Sequence, residues 1–137
     1  MSPSIYKFSD ETNAKLRKFR LSTSRKNEPQ AIILSIDRQT FEVIAEDEVY
    51  NSLSDVADEL PDGAPRYVLL SYPVKRHDGS LSSPYVMLFW SPEGTSPALK
   101  MQYAGATQHV AKATGVIKTF DVSDEDEVLE VADKLAA

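Results

Sequence analysis

Two histidines and one run of acids are the residues through which this chain could move protons or hold a metal ion. Each has a simpler use. His77 stands just before a turn pair, Asp78-Gly79, and His109 falls inside a long helical pattern. Neither has a cysteine or a second histidine at ligand spacing, so no metal site is expected. The tetrad Asp124 to Glu127 offers carboxylates for a metal or for general-acid work. At the start of a helix, however, carboxylates stabilise the macrodipole and need no ligand. No glycine-rich phosphate loop, dinucleotide turn or nucleophile elbow is present. These residues describe a protein that binds rather than one that catalyses, with no cofactor.

The elements that must position them alternate without internal repeats. Ser9 or Asp10 can cap a first helix running to about Ser22, with Leu16 and Phe19 facing inward and Lys15, Arg17, Lys18 and Arg20 on its outer sides. Ala31 to Ile36 and Phe41 to Ala45 read as a hairpin across residues 37–40. Ser52 or Ser54 caps a short helix, Leu53 to Leu60, which Pro61-Asp62-Gly63 ends. Arg66 to Lys75 and Leu81 to Trp90 are apolar on both alternating faces, so this hairpin should lie at the centre of a sheet covered on both sides. Pro73 can donate no ladder hydrogen bond, so a bulge or loss of pairing is expected near it.

Ser96-Pro97 starts the longest helix, whose Leu99, Tyr103, Ala106, Val110 and Ala113 make one core-facing stripe before Thr114-Gly115 ends it. Val116 to Val122 alternates as a strand. Ser123 and the acidic tetrad then open a last helix with Val128, Val131 or Ala132, and Leu135 inward. The resulting order predicts one α/β (α+β) sandwich domain over residues 1–137, a central mixed sheet of about five strands flanked by helices on both faces.

Composition narrows the partner. A chain of 137 residues suits a single core. The absence of cysteine removes disulfides and fits a reducing compartment. Neither a secretory signal nor an apolar run of bilayer length is evident, so a cytosolic or nucleocytoplasmic protein without membrane contact is expected. A net charge of −6 disfavours nucleic acid, whose phosphates must be neutralised. The charge is uneven: Lys7 to Lys26 holds seven basic residues against Asp10 and Glu11, whereas Glu42 to Asp62 holds eight acids and no base. The basic segment can face an acidic protein surface, or it can be a solvated helix face. On the long helix, Lys100, Met101, Ala104, Gly105 and Gln108 lie off the buried stripe. Small residues expose the backbone there and Met101 offers an adaptable apolar contact, a combination suited to lodging in a partner's groove.

The order of elements, with Phe89-Trp90-Ser91-Pro92-Glu93 followed by Lys100-Met101-Gln102-Tyr103-Ala104, resembles the actin-depolymerising factor homology family, which shares a cofilin/gelsolin-like fold. Within that family the chain is most similar to the glia maturation factors. The matching stretches are Lys15-Leu-Arg-Lys-Phe-Arg20, Asp58-Glu-Leu-Pro61 with Pro65-Arg66-Tyr67, Ser71-Tyr72, His77-Asp78-Gly79 with Ser82, and Met101 through Gly105. Together they span nearly the whole chain in order.

The resemblance implies a partner site on the long helix, helped by the N-terminal segment and the start of the last helix. Carried over residue by residue, that site is Lys100, Met101, Ala104 and Gln108, the basic set Lys15, Arg17, Lys18 and Arg20, and Ser123, Asp124 and Glu127. Arg76, His77, Asp78 and Gly79 would make a second contact. The implied partner is the actin-related protein 2/3 complex, with inhibition of its nucleation and debranching of filaments; the alternative is a cofilin-like actin binder that severs. Two departures bear on that choice. Cofilin-type sequences carry a basic residue where this chain has Ala98, and a lysine where it has Thr107. Loss of two cations removes charge-assisted contacts worth about 1 kcal/mol or more each if desolvated, which implies weak or no binding to actin itself. A monomer is the default, and phosphate on Ser2 or Ser4 would alter the charge beside the site.

Overall fold

The computed structural model describes residues 5–23 and 27–136; Ser2, Ser4 and Lys26 lie outside them. In chain order the elements are β1 (Lys7–Phe8), α1 (Asp10–Thr23), β2 (Gln30–Ile36), β3 (Glu42–Tyr50), α2 (Leu53–Glu59), β4 (Arg66–Ser71), β5 (Val74–Lys75), β6 (Leu81–Ser82), β7 (Tyr85–Trp90), α3 (Pro97–Thr114), β8 (Thr119–Val122) and α4 (Glu125–Ala136). The main sheet has the order β1-β3-β2-β4-β7-β8. It is antiparallel at its centre and parallel at both margins, where β1 joins β3 and β8 joins β7.

Strand alternation divides the core into two layers. Ile32, Leu34 and Ile36 of β2, Tyr67 and Leu69 of β4, and Tyr85, Met87 and Phe89 of β7 pack with Phe19 of α1 and with Tyr103, Ala106 and Val110 of α3. The intervening residues, Ala31, Ile33, Val68, Leu70, Val86, Leu88 and Trp90, pack with Val56 of α2 and with Val128 and Val131 of α4. Two helices therefore cover each face, which is why β4 and β7 are apolar on both sides.

The sheet has six strands rather than about five. The addition, β1, is only two residues long, too short for any period to show; it pairs Lys7 with Glu42 and Phe8 with Val43. The two long central strands are each cut by a proline. Pairing of β4 with β7 runs from Arg66↔Trp90 to Ser71↔Tyr85 and stops at Pro73, as expected, and at Pro84, which was not foreseen. Beyond the break, β5 and β6 form a separate two-stranded ribbon. Two further expectations fail. Phe41 is not the start of a strand but the last residue of a turn, at φ 61°. Ala113 faces solvent, because a position ten residues beyond Tyr103 has rotated about 80° from it.

Two contacts fix the helices of the first layer. The Tyr103 hydroxyl accepts the Ile36 N–H at 2.8 Å, while the Tyr103 carbonyl accepts the hydroxyls of Tyr67 and Thr107. Burial pushes the Tyr67 phenol well above the usual tyrosine range, so it remains a donor at any physiological pH. On α1, the half-buried Lys15 donates to the Ala45 carbonyl at 3.2 Å and pairs with Asp47 at 2.7 Å and Glu11 at 3.5 Å.

Tyr103→Phe should cost about 1–3 kcal/mol, since it leaves the Ile36 N–H unpaired in the core. Tyr67→Phe should cost less, because the carbonyl it served retains Thr107. Urea unfolding of both variants checks the order, and equal losses would contradict it. Lys15→Met should lower the melting temperature at pH 7. Lys15 raises no charge problem there: Asp47 holds its ammonium above the ordinary lysine value, and it in turn holds the Asp47 carboxyl below the usual carboxylate value. A depressed carboxyl contributes stability that is lost as pH falls through its folded value. The gap between wild type and Lys15→Met should therefore shrink in acid below the carboxylate range.

Candidate functional site

Helix α3 is closed at both ends by its own sequence. The Ser96 hydroxyl accepts the Leu99 N–H, Pro97 occupies the first turn, and Gly115 ends the helix at φ 77°. Burial of Tyr103, Ala106 and Val110 fixes its rotation. The opposite side then carries Met101, Gly105, Gln108 and Lys112, spaced 4, 3 and 4 residues apart and all exposed. Ala104 and Lys100 are exposed beside this line. Met101 is 76% exposed, the most of any large apolar side chain among the described residues. A Cβ added at Gly105 would meet nothing within 4 Å, so the fold does not require a glycine there. Nor does α3 carry a single carboxylate along its 18 residues, in a chain with 21 acids.

Each flank of this ridge has its own wall. On one side the chain entering α1 runs alongside α3: the Tyr6 hydroxyl donates to the Gln102 carbonyl at 3.2 Å, and the Phe8 ring lies 5.9 Å from His109. On the other side a cleft of about 340 Å³ is lined by Phe89, Ser91, Lys100, Asp121, Ser123 and Glu127. The three acidic-helix candidates there are committed to capping α4. Asp124 accepts the Glu127 N–H at 2.8 Å, and Glu127 reaches back to accept the Ser123 N–H at 2.8 Å and its hydroxyl at 2.5 Å. Those bonds from Ser123 hold the Glu127 carboxyl below its ordinary value. Capping hydrogen bonds thus account for the local geometry of Asp124 and Glu127.

The basic set does not form one patch. Lys15 is tied to β3 as described. The Arg20 guanidinium stacks 3.8 Å from the centre of the Tyr85 ring, and burial raises that phenol to about 12. Arg17 and Arg20 line a depression shared with Ala113 and Thr114 at the far end of α3, whereas Lys15 and Lys18 line a different one beside Glu46 and Asp47. From Lys100 to Ala113 the helix advances about 20 Å. Among the described residues Arg17 and Lys18 are the exposed members without an ion pair, side-chain hydrogen bond or ring contact, and they stand apart from Lys100.

The β5–β6 tip is an exposed turn closed by its own hydrogen bonds. Arg76 and Ser80 close the turn by backbone hydrogen bonding at 2.8 Å, and Gly79 sits at φ 88°, where only glycine is unstrained. The Asp78 carboxylate accepts both the N–H and the hydroxyl of Ser80, which keeps its pKa low. Arg76, His77, Asp78 and Gly79 are all exposed. Sequence reading missed Leu81 beside them, 65% exposed, and Lys112 on the ridge. The eleven-residue offset from Met101 would have found Lys112. No pattern marks Leu81 as outward.

Among the described residues no cluster of His, Asp or Glu is placed to hold a metal, and no helix is long and apolar enough to cross a membrane. What the geometry offers is an exposed helix ridge free of carboxylates, with walls on either side. Residues 5–135 match the family of cofilin/tropomyosin-type actin-binding proteins. The chain is 33% identical to protein AIM7 of Saccharomyces cerevisiae, over 96% of each chain, and 33% identical to human glia maturation factor beta, over 85% of this chain and 81% of that one. The solution structure of glia maturation factor from Caenorhabditis elegans superposes with a TM-score of 0.76 at 33% identity, covering 93% of this chain and 91% of that one. Proteins of this family act on the actin cytoskeleton by binding and not by catalysis. The chain belongs to the cofilin/actin-depolymerising factor family and, within it, is similar to the glia maturation factors.

Proposed function

We propose that this protein binds the actin-related protein 2/3 complex, inhibits its nucleation of new filaments and promotes the release of existing branches. The observation that carries the reading is the α3 ridge: exposed along its length, free of carboxylates, and with only Lys100 and Lys112 as cations. A ridge of this kind enters an actin-like cleft by fit, with Met101 as its apolar anchor, and holds actin itself weakly or not at all. The partner subunit would be the actin-related one at the branch, and docking there would displace the first actin of the daughter filament. The exposed tip at Arg76, His77, Asp78 and Gly79, with Leu81, would touch a neighbouring subunit. Similarity to glia maturation factors supports this choice over filament severing. The protein would work as a monomer, in the cytoplasm, at sites of branched actin.

The deciding experiment compares co-sedimentation with bare filaments against capture of the purified branching complex. Capture without co-sedimentation is expected, together with shortened branch lifetimes in microscopy. Breakage of filaments away from branches would instead favour the cofilin-like reading. Lys100→Ala with Met101→Ala should abolish capture and leave the melting temperature unchanged, since both side chains are exposed. Gly105→Ala should move stability and binding in opposite directions. Stability should rise by about 0.5–1 kcal/mol, as for glycine in a helix interior with room for a methyl group. Binding should weaken if the partner approaches the backbone at that point; unchanged binding would remove Gly105 from the interface.

A further inference from the structure

The turn between β2 and β3 holds a bulky residue in the left-handed backbone region. Phe41 has φ 61°, in the left-handed region that costs a non-glycine residue of order 1 kcal/mol or more. The turn around it is over-determined. The Asp37 carboxylate accepts the N–H groups of Gln39 at 2.8 Å and Thr40 at 3.0 Å, and those bonds hold it ionised. The Asp37 carbonyl accepts the Phe41 N–H, the Asp37 N–H donates to the Glu42 carbonyl, and the Phe41 carbonyl accepts the Lys7 N–H. So anchored, the Phe41 ring meets the Tyr6 ring edge-on at 5.9 Å between centroids. Tyr6 is pinned in turn to the Gln102 carbonyl of α3.

The result is a shallow groove of about 500 Å³ along the ridge, walled by Tyr6 and Phe41 on one side and by Ala98, Met101 and Gln102 on the other, with Arg38 at its rim. Arg38 is exposed and has no ion pair or hydrogen bond among the described residues. Its nearest acid in sequence, Asp37, is occupied by the turn amides. Two aromatic rings and a thioether make the lining largely apolar, and an unpaired guanidinium stands beside them. The groove is continuous with the proposed docking ridge through Met101.

We propose that the Asp37–Phe41 turn is a specificity-determining part of that docking surface: the groove takes an apolar side chain of the partner, and Arg38 pairs with a carboxylate next to it. Phe41 is a positioning residue, whose left-handed backbone turns the aromatic wall toward α3. This inference rests on the proposed binding of the branching complex and adds to it a charge requirement on the partner that the ridge alone does not impose.

The test is capture of the purified branching complex by wild type, Met101→Ala, Arg38→Glu and Arg38→Lys at low and high salt, with melting temperatures measured in parallel. Arg38→Glu should bind about tenfold or more weakly at low salt, and the deficit should shrink as salt screens the contact. Arg38→Lys, which keeps the charge without the fork, should fall between it and wild type. All four proteins should melt together. Should Arg38→Glu bind like wild type while Met101→Ala does not, the turn plays no part and the ridge reading stands. A deficit of equal size at both salt concentrations, or a lowered melting temperature, would overturn charge pairing as the cause. If wild type itself fails to capture the complex, the function proposed above falls first and this inference with it.

Discussion

One side chain sets the geometry on which the surface depends. Tyr103 reaches from α3 into the first core layer, where its hydroxyl takes the Ile36 N–H and its ring lies 5.4 Å from that of Tyr67. A helix packed only by alanine and valine could turn about its axis at small cost, because those side chains give little directional information. A buried phenol with a single available donor cannot. Once Tyr103 is placed, the 100° step per residue puts Met101, Gly105, Gln108 and Lys112 on the far side. The exposure of the ridge is therefore a consequence of core chemistry one turn away.

Separate ties fix one flank of the ridge. Helix α1 is held to β3 by Lys15, whose stem lies half buried while its ammonium serves a carbonyl and two carboxylates. The Thr12 hydroxyl, donating to the Val43 carbonyl at 2.8 Å, adds a second tie to the same strand. Between them the edge of β3 beyond β1 is covered by α1 rather than left open to another chain. The segment leading into α1 is consequently fixed beside α3, and Tyr6 and Phe8 arrive at Gln102 and His109 without a long loop.

Much of this was legible in the sequence, and the failures have physical reasons. Four helices followed from cap signals at Ser9 or Asp10, Ser52 or Ser54, Ser96 and the acids after Ser123, because a cap is a local signal that tertiary contacts seldom overrule. The double-sided apolarity of β4 and β7 gave the sandwich. What could not be read was decided by partners distant in sequence. Two residues at β1 become a strand only because β3 is there to receive them. Phe41 looks like the first residue of a strand, yet the Asp37 carboxylate closes the turn one residue later than an apolar pattern suggests. The basic run from Lys15 to Arg20 reads as one patch, but helical spacing sends Lys15 toward β3 and Arg20 toward Tyr85, so a linear cluster becomes separate sites. The α3 ridge was read from periodicity alone, since solvent exposure opposite a buried stripe needs no distant partner.

A docking surface poor in cations has a definite energetic character. Burying Met101 in a partner contributes about 1.5–3 kcal/mol, and small residues on either side let backbone approach backbone without ordering long side chains. Cations add long-range attraction, and with it attraction to every acidic surface nearby. On the proposed docking surface, selectivity would come from contacts made only at close range: the fit of the ridge, the apolar groove beside Tyr6 and Phe41, and one guanidinium that meets a carboxylate in the right place or meets none. Shape recognises the class of cleft, and the turn at Arg38 would then separate one member of that class from another.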